Sequence, residues 1–182
     1  MQESKDEGET PPLLSGKWEA LSDIVSDALP GGHKILIFSQ FTGMLRLART
    51  WLEEQGIGYS YLDGSTRNRT AEVAAFQTVP ARPVFLISLK AGGYGLNLTA
   101  ADHVVLLEPW WNPAVEAQAI DRAHRIGQSS VVTASRLIAR GTVEERILKL
   151  QATKRKFMAS AVEDDPLTLP GLTEDDLESL LG

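Results

Sequence analysis

The chain has 182 residues, 43% of them hydrophobic and 23% charged, with a formal net charge of −6, which sets the expectation at one globular domain large enough for its own core. It has no cysteine, which excludes disulfides and thiolate chemistry, and its three histidines are scattered with no metal-ligand spacing, so no metal centre is expected. No apolar run approaches a membrane span and Met1–Glu9 is acidic rather than signal-like, so an intracellular protein with no membrane partner is expected.

The negative charge is concentrated at the ends. Residues 1–9 hold four acids and one lysine, and residues 163–182 hold seven acids and no base. Residues 10–162 therefore carry 17 basic against 13 acidic side chains, a balance of +4 that suits a phosphate backbone despite the acidic average. Residues 1–14 read as an acidic disordered leader, residues 15–162 as the folded domain, and residues 163–182 as an acidic tail. Leu177, Leu180 and Leu181 stand at helical spacing in that tail and are compatible with a short helix.

From Trp18 the chain alternates. Helical periodicity over Trp18–Leu29 leads to an apolar run at Ile35–Phe38, then a helix over Leu45–Gln55, a run at Tyr59–Leu62 and a helix over Arg69–Gln77. Runs at Val84–Ile87 and Val104–Leu107 follow, then a helix over Pro113–Ile126, a run at Val131–Ile138 and a long helix over Val143–Ala161. Runs this short and this rich in β-branched residues read as strands, mostly buried on both faces. The alternation predicts an α/β fold, a parallel sheet with helices on both sides.

Ligands of such sheets gather where loops leave the carboxyl ends of the strands. Ser39 and Gln40 follow the first run. Gly64, Ser65 and Thr66 follow the second, where hydroxyls and backbone N–H groups could hold a phosphate, or Thr66 could simply cap the next helix. Arg67 and Arg69 could add backbone contacts or be solvated. After the third run, Ser88–Leu98 includes Lys90, Gly92, Gly93 and Gly95, whose glycines permit a close backbone approach to phosphate or merely a tight turn. Trp110 and Trp111 are adjacent, so one is expected in the core and the other at a contact. Asn112 is a good N-cap with Pro113 at the first helical position, and Gly127 supplies the stop. Within that helix Val115, Ala119, Ala123 and Ile126 form a buried stripe and leave Gln118, Arg122 and Arg125 on another face. Two guanidinium groups there could clamp a polyphosphate. Read blandly, Asp121 and Arg125 form an i,i+4 pair and the arginines complement the helix dipole. The long last helix carries Arg146, Lys149, Lys154, Arg155 and Lys156, an ordinary solvated face.

These motifs carry a resemblance. Ala117-Gln-Ala-Ile-Asp-Arg-Ala-His-Arg-Ile-Gly-Gln128 resembles motif VI of the SWI/SNF-type DNA-translocating ATPases of helicase superfamily two. Leu89-Lys-Ala-Gly-Gly-Tyr-Gly-Leu-Asn-Leu-Thr-Ala-Ala-Asp102 is similar to that family's motif V, and Trp110-Trp-Asn-Pro113 to its Trp-Asn-Pro element. Ile35-Leu-Ile-Phe-Ser-Gln-Phe-Thr42 resembles motif IV, and Tyr61-Leu-Asp-Gly-Ser-Thr66 the segment after it. All occur in family order, and the likeness covers roughly residues 15–158. It implies a RecA-like second lobe whose final helix braces one lobe against the other. By it, Gly95, Gln118, Arg122 and Arg125 face ATP, with Arg122 and Arg125 as the catalytic arginine fingers. Ser39, Gln40, Gly64, Ser65, Thr66, Ser88, Lys90, Gly92, Gly93, Trp111 and Asn112 face DNA.

A self-sufficient ATPase also needs a G-x-x-x-x-G-K-S/T phosphate loop and an acidic residue for magnesium after a strand. Ser15-Gly-Lys-Trp18 lacks the preceding glycine and the hydroxyl after lysine, and Asp6-Glu7 follows no strand. The resemblance places both elements in a first lobe, so ATP and Mg2+ are expected to be held mainly there and not by this chain alone. The chain is then expected to be half of a two-lobed motor, excised or the end of a longer protein. Its expected partners are duplex DNA, the first lobe and a nucleoprotein substrate, in the nucleus of a eukaryote or the cytoplasm and nucleoid of a bacterium. Three alternatives stay open: a non-catalytic DNA-binding or partner-docking module with a structural arginine pair, a nucleotide-sugar or dinucleotide enzyme, and a strand-separating helicase. The dinucleotide reading lacks a G-x-G-x-x-G turn after the first strand.

Overall fold

The computed structural model describes residues 15–91, 96–110, 112–123 and 131–163. Five strands, β1 (Ile35–Ser39), β2 (Tyr59–Leu62), β3 (Val84–Ser88), β4 (His103–Leu106) and β5 (Thr133–Arg136), form one sheet in the order β2-β3-β1-β4-β5. Every pairing is parallel, with Ile35 opposite both Val84 and His103 across the two central ladders. Parallel neighbours demand crossovers, and the helices supply them. Helix α1 (Ser15–Ala28) leads into β1, α2 (Thr42–Glu54) joins β1 to β2, α3 (Arg69–Thr78) joins β2 to β3, and α4 (Pro113–Ile120) joins β4 to β5. Helix α5 (Val143–Glu163) ends the described chain.

Strands β1 and β3 are buried at every residue because helices cover both faces of the sheet. On one face Leu36, Phe38, Phe85, Ile87, Val104 and Leu106 pack with Phe76 of α3 and Ala119 of α4. On the other, Ile35, Ile37, Val84, Leu86 and Val105 pack with Leu21 and Val25 of α1 and Leu45, Ala48 and Leu52 of α2. The alternation of side chains along each strand divides the core in this way. Glycine matters at Gly58, just before β2. A Cβ there would lie 1.8 Å from the Ala81 carbonyl oxygen, so only glycine lets the two backbones come this close.

Three expectations are corrected. The run Val131–Ile138 gives only a four-residue edge strand with Thr133 and Ala134 exposed, and Val131 is 90% exposed. Among the described residues β5 is paired on one side only. Helix α4 stops at Ile120 rather than at Ile126. Arg122 and Ala123 donate to Ala119 and Ile120, three residues back, which tightens the chain into a turn. The cap of α3 is Asn68, whose side chain accepts from Ala71 N at 3.0 Å, and not Thr66. Among the described residues no helix is long and apolar enough to cross a membrane.

Candidate functional site

Four loops meet at the carboxyl edge of the sheet, and buried carboxylates organise them. Glu108, just past β4, is 4% exposed and its Oε1 accepts from the Ser39 hydroxyl at 2.7 Å and from Gln40 N. Ser39 Oγ also accepts from Phe41 N at 3.0 Å, which turns the chain into α2. Burial pushes the Glu108 carboxyl above the usual range, offset in part by these bonds and by the charge of Lys17. Lys17 itself donates to Leu107 O at 2.8 Å and to Glu144 Oε1 at 2.5 Å, tying α1 and α5 to the end of β4.

After β2, Asp63 folds the turn around itself. Its Oδ1 accepts from Ser65 N at 2.8 Å and Ser65 Oγ at 2.6 Å, while Asp63 N donates to Thr66 Oγ1 at 3.0 Å. The Ser65 hydroxyl bond, against the opposing effect of burial, holds the Asp63 carboxyl below its ordinary value. Gly64 and Ser65 stay exposed, and Arg67 beside them is exposed too. Arg69 donates to Ala91 O at 3.3 Å, which joins this loop to the one after β3.

The residues expected at the site fall as follows. Ser39 is wholly buried, with its hydroxyl donating to Glu108, and Ser88 is 3% exposed. Gln40 and Thr66 are half-buried, whereas Gly64, Ser65, Lys90 and Asn112 are exposed on the same edge. Asn112 caps α4 as expected, accepting from Ala114 N at 3.1 Å, with Pro113 following it. Trp110 packs against the core.

Gln118 and Arg122 do not share one exposed face. Gln118 is exposed and Arg122 is 6% exposed, because the chain leaves helical geometry between them. Since β4 and β5 are parallel, α4 runs back across the sheet, and Arg122 lies on its α3 and α4 face rather than at the carboxyl edge. There the Arg122 carbonyl accepts from Leu98 N at 3.2 Å, linking the arginine turn to the end of the Ser88–Leu98 loop. Gly92, Gly93, Gly95, Trp111 and Arg125 lie outside the described residues, as do Ile126 and Gly127.

Sequence reasoning missed the buried acids. Glu116 of α4 is 2% exposed and accepts from Trp110 N at 2.6 Å, from Gln151 Nε2 at 3.0 Å and from Arg136. One carboxylate thus joins the loop before α4, the edge strand and α5. Its visible signal was only an acid in the first turn of a helix. Two of the three histidines, distant in the chain, are close in space: His33 and His103 both meet Asp102 at the opposite, amino edge of the sheet.

Residues 16–127 match the family described as the helicase conserved C-terminal domain. The helicase-like transcription factor CHR27 of Arabidopsis thaliana is 51% identical over 154 residues, covering 82% of this chain and 15% of that protein. The chromatin-remodeling ATPase INO80 of Aspergillus oryzae is 46% identical over 144 residues, 78% of this chain and 10% of that one. An uncharacterized ATP-dependent helicase of Mycoplasma pneumoniae is 41% identical over 165 residues, 90% of this chain and 16% of that one. The chain therefore spans between 10% and 16% of the length of these relatives. The crystal structure of the C-terminal part of the Fun30 ATPase domain matches with a TM-score of 0.73 at 34% identity, covering 79% of this chain and 48% of that chain. The chain belongs to the helicase C-terminal domain family and, within it, to the SWI/SNF-type remodelling ATPases, as their C-terminal RecA-like lobe.

Proposed function

We propose that this lobe completes an ATP site held mainly by a first RecA-like lobe and that it tracks duplex DNA, so that lobe closure and opening move the DNA and remodel protein bound to it. Arg122 and Arg125 act as arginine fingers on the transferred phosphoryl group, with Gln118 and Gly95 beside the nucleotide. Gly64, Ser65, Lys90 and Asn112 are exposed on one edge and suit backbone contacts to phosphates. Gly92, Gly93 and Trp111 are assigned to the same DNA track, with Trp111 lying against sugar or base. ATP and Mg2+ bring the reacting phosphate and its charge neutralisation. This chain contributes donors and position.

The observation that carries the reading is the 3.2 Å bond from Leu98 N to Arg122 O. It couples the loop assigned to DNA with the turn assigned to ATP, a link a DNA-stimulated ATPase requires. The test is to express a first lobe carrying the phosphate loop and acidic box, and to mix it with this chain. The expected result is no ATP turnover by either part alone, and nucleotide-dependent association with DNA-stimulated turnover in the mixture. Turnover by this chain alone, or no association in the presence of a non-hydrolysable ATP analogue, would overturn it.

A second reading draws on the burial of Arg122, at 6% exposure. In it the arginine pair is structural and the chain is a DNA-binding or partner-docking module. The same mixing experiment separates the two, because a docking module would associate independently of nucleotide.

A further inference from the structure

At the edge of the sheet away from the loops just described, three chemistry-bearing side chains converge. His33 precedes β1, and Asp102 and His103 open β4. The Asp102 carboxylate bridges both rings, with Oδ2 2.6 Å from His33 Nδ1 and Oδ1 3.0 Å from His103 Nδ1. The rings lie 4.9 Å apart at 52°, and one ligand atom from each residue falls within 4.8 Å of the other two. The backbone fixes this arrangement: Asp102 N and His103 N both donate to Lys34 O at 3.2 Å, in register with the Ile35–His103 pairing. Gly31 leaves space for the His33 ring, since a Cβ there would stand 2.6 Å from His33 Cδ2.

We propose that His33, Asp102 and His103 bind a divalent transition-metal ion of the zinc class. Two imidazole nitrogens and one carboxylate oxygen make a donor set suited to such an ion and poorly suited to Mg2+, which takes oxygen ligands. Metal–ligand bonds of about 2.0–2.1 Å in a tetrahedron put ligand atoms about 3.3 Å apart. Each Asp102 oxygen now faces one Nδ1, at 2.6 and 3.0 Å, and one ligand atom from each residue lies within 4.8 Å of the others, so binding needs side-chain shifts of up to about 1.5 Å. A neutral imidazole binds through Nδ1 by carrying its proton on Nε2, so the ring needs no net loss of charge. The His33 side chain is 44% exposed and gives the ion a way in, with water in the fourth position, while Asp102 is 14% exposed. The bound ion would clip the start of β1 to the start of β4, two points 69 residues apart in the chain. It would act on stability, separately from the ATP and DNA residues at the other edge and face.

The test is a titration of the chain with ZnSO4, followed by calorimetry and thermal unfolding, with CoCl2 as a spectroscopic probe. Binding of one ion per chain is expected, with a rise in Tm of about 5 °C or more at a hundredfold excess of Zn2+ over Kd. Co2+ should give the intense visible absorption of a four-coordinate site, and MgCl2 should leave Tm unchanged. His33→Gln, at the most exposed of the three positions, and Asp102→Asn should each weaken Zn2+ binding at least tenfold and abolish the Tm rise. Zn2+ binding that survives undiminished in both variants would place the ion elsewhere and overturn the proposal. So would the absence of a Tm shift in the unsubstituted chain at millimolar Zn2+.

Discussion

The carboxylate of Glu116 offers the sharpest structural test, through Arg136→Met. Glu116 is 2% exposed and its carboxylate meets the cation Arg136, whose side chain is 29% exposed, and the neutral donors Trp110 N and Gln151 Nε2. Methionine keeps the aliphatic bulk and removes the charge. What remains is a buried carboxylate with neutral partners. Breaking a buried pair this way costs about 3–5 kcal/mol, and the partial exposure of Arg136 puts the expected loss near the lower end, about 3 kcal/mol. For a domain of this size that lowers Tm by about 6–12 °C. Urea unfolding of the chain measures it directly. The double variant Arg136→Met with Glu116→Gln should regain about 1 kcal/mol or more relative to Arg136→Met alone, because no buried charge is then stranded. The reasoning fails if Arg136→Met changes stability by less than about 0.5 kcal/mol, or if the two substitutions add without coupling.

Glu108 should show itself in pH dependence. Its folded-state pKa is raised above 4.5, chiefly by burial, so the native chain binds the extra proton. The corresponding stability is fully present below the unfolded value and is lost as pH rises through the raised one. Glu108→Gln stays neutral and keeps an acceptor for Ser39, so its stability relative to the unsubstituted chain should climb across that window in urea titrations at successive pH values. A flat difference contradicts the burial argument. Gly58→Ala drives a Cβ to 1.8 Å from Ala81 O, and should cost about 1–3 kcal/mol by forcing the backbones apart. A loss under about 0.5 kcal/mol in urea unfolding would mean the approach is looser than it stands. Lys90→Ala, at an exposed position, should weaken duplex binding alike for all sequences and reduce the salt slope by about 1. An unchanged slope removes Lys90 from the DNA track.

What the sequence disclosed was local, and what it hid was long-range. The runs at residues 35–38 and 84–87 are strands where hydrophobic periodicity puts them, since burial on both faces leaves a continuous apolar run, and 59–62 is a strand whose burial alternates. The same rule overextended β5, because an apolar run cannot say whether a second neighbour will cover it, and Val131 stands 90% exposed. Asn112 was legible as a cap since only its own turn decides it. Thr66 was the expected cap of α3, but its hydroxyl accepts from Asp63 N and Asn68 caps the helix instead. Helical spacing put Gln118 and Arg122 on one face, yet it presumed a helix that the tight turn at residues 121–123 ends early. The bridges from Ser39 to Glu108 and from His33 to Asp102 each span 69 residues. No spacing rule within one element reaches that far; only the sheet order β3-β1-β4 brings those positions together.

The central claim is that this lobe supplies arginine fingers to a nucleotide held across the cleft, and single-turnover ATP hydrolysis by the two-lobed protein on duplex DNA tests it most directly. Arginine fingers contribute about 10³–10⁵ in rate in related phosphoryl transfers. Arg125→Ala should therefore reduce the hydrolysis rate by at least about 10³-fold while DNA affinity stays within a factor of about two. Hydrolysis within about tenfold of the unsubstituted enzyme, under the same saturating DNA, would contradict the claim.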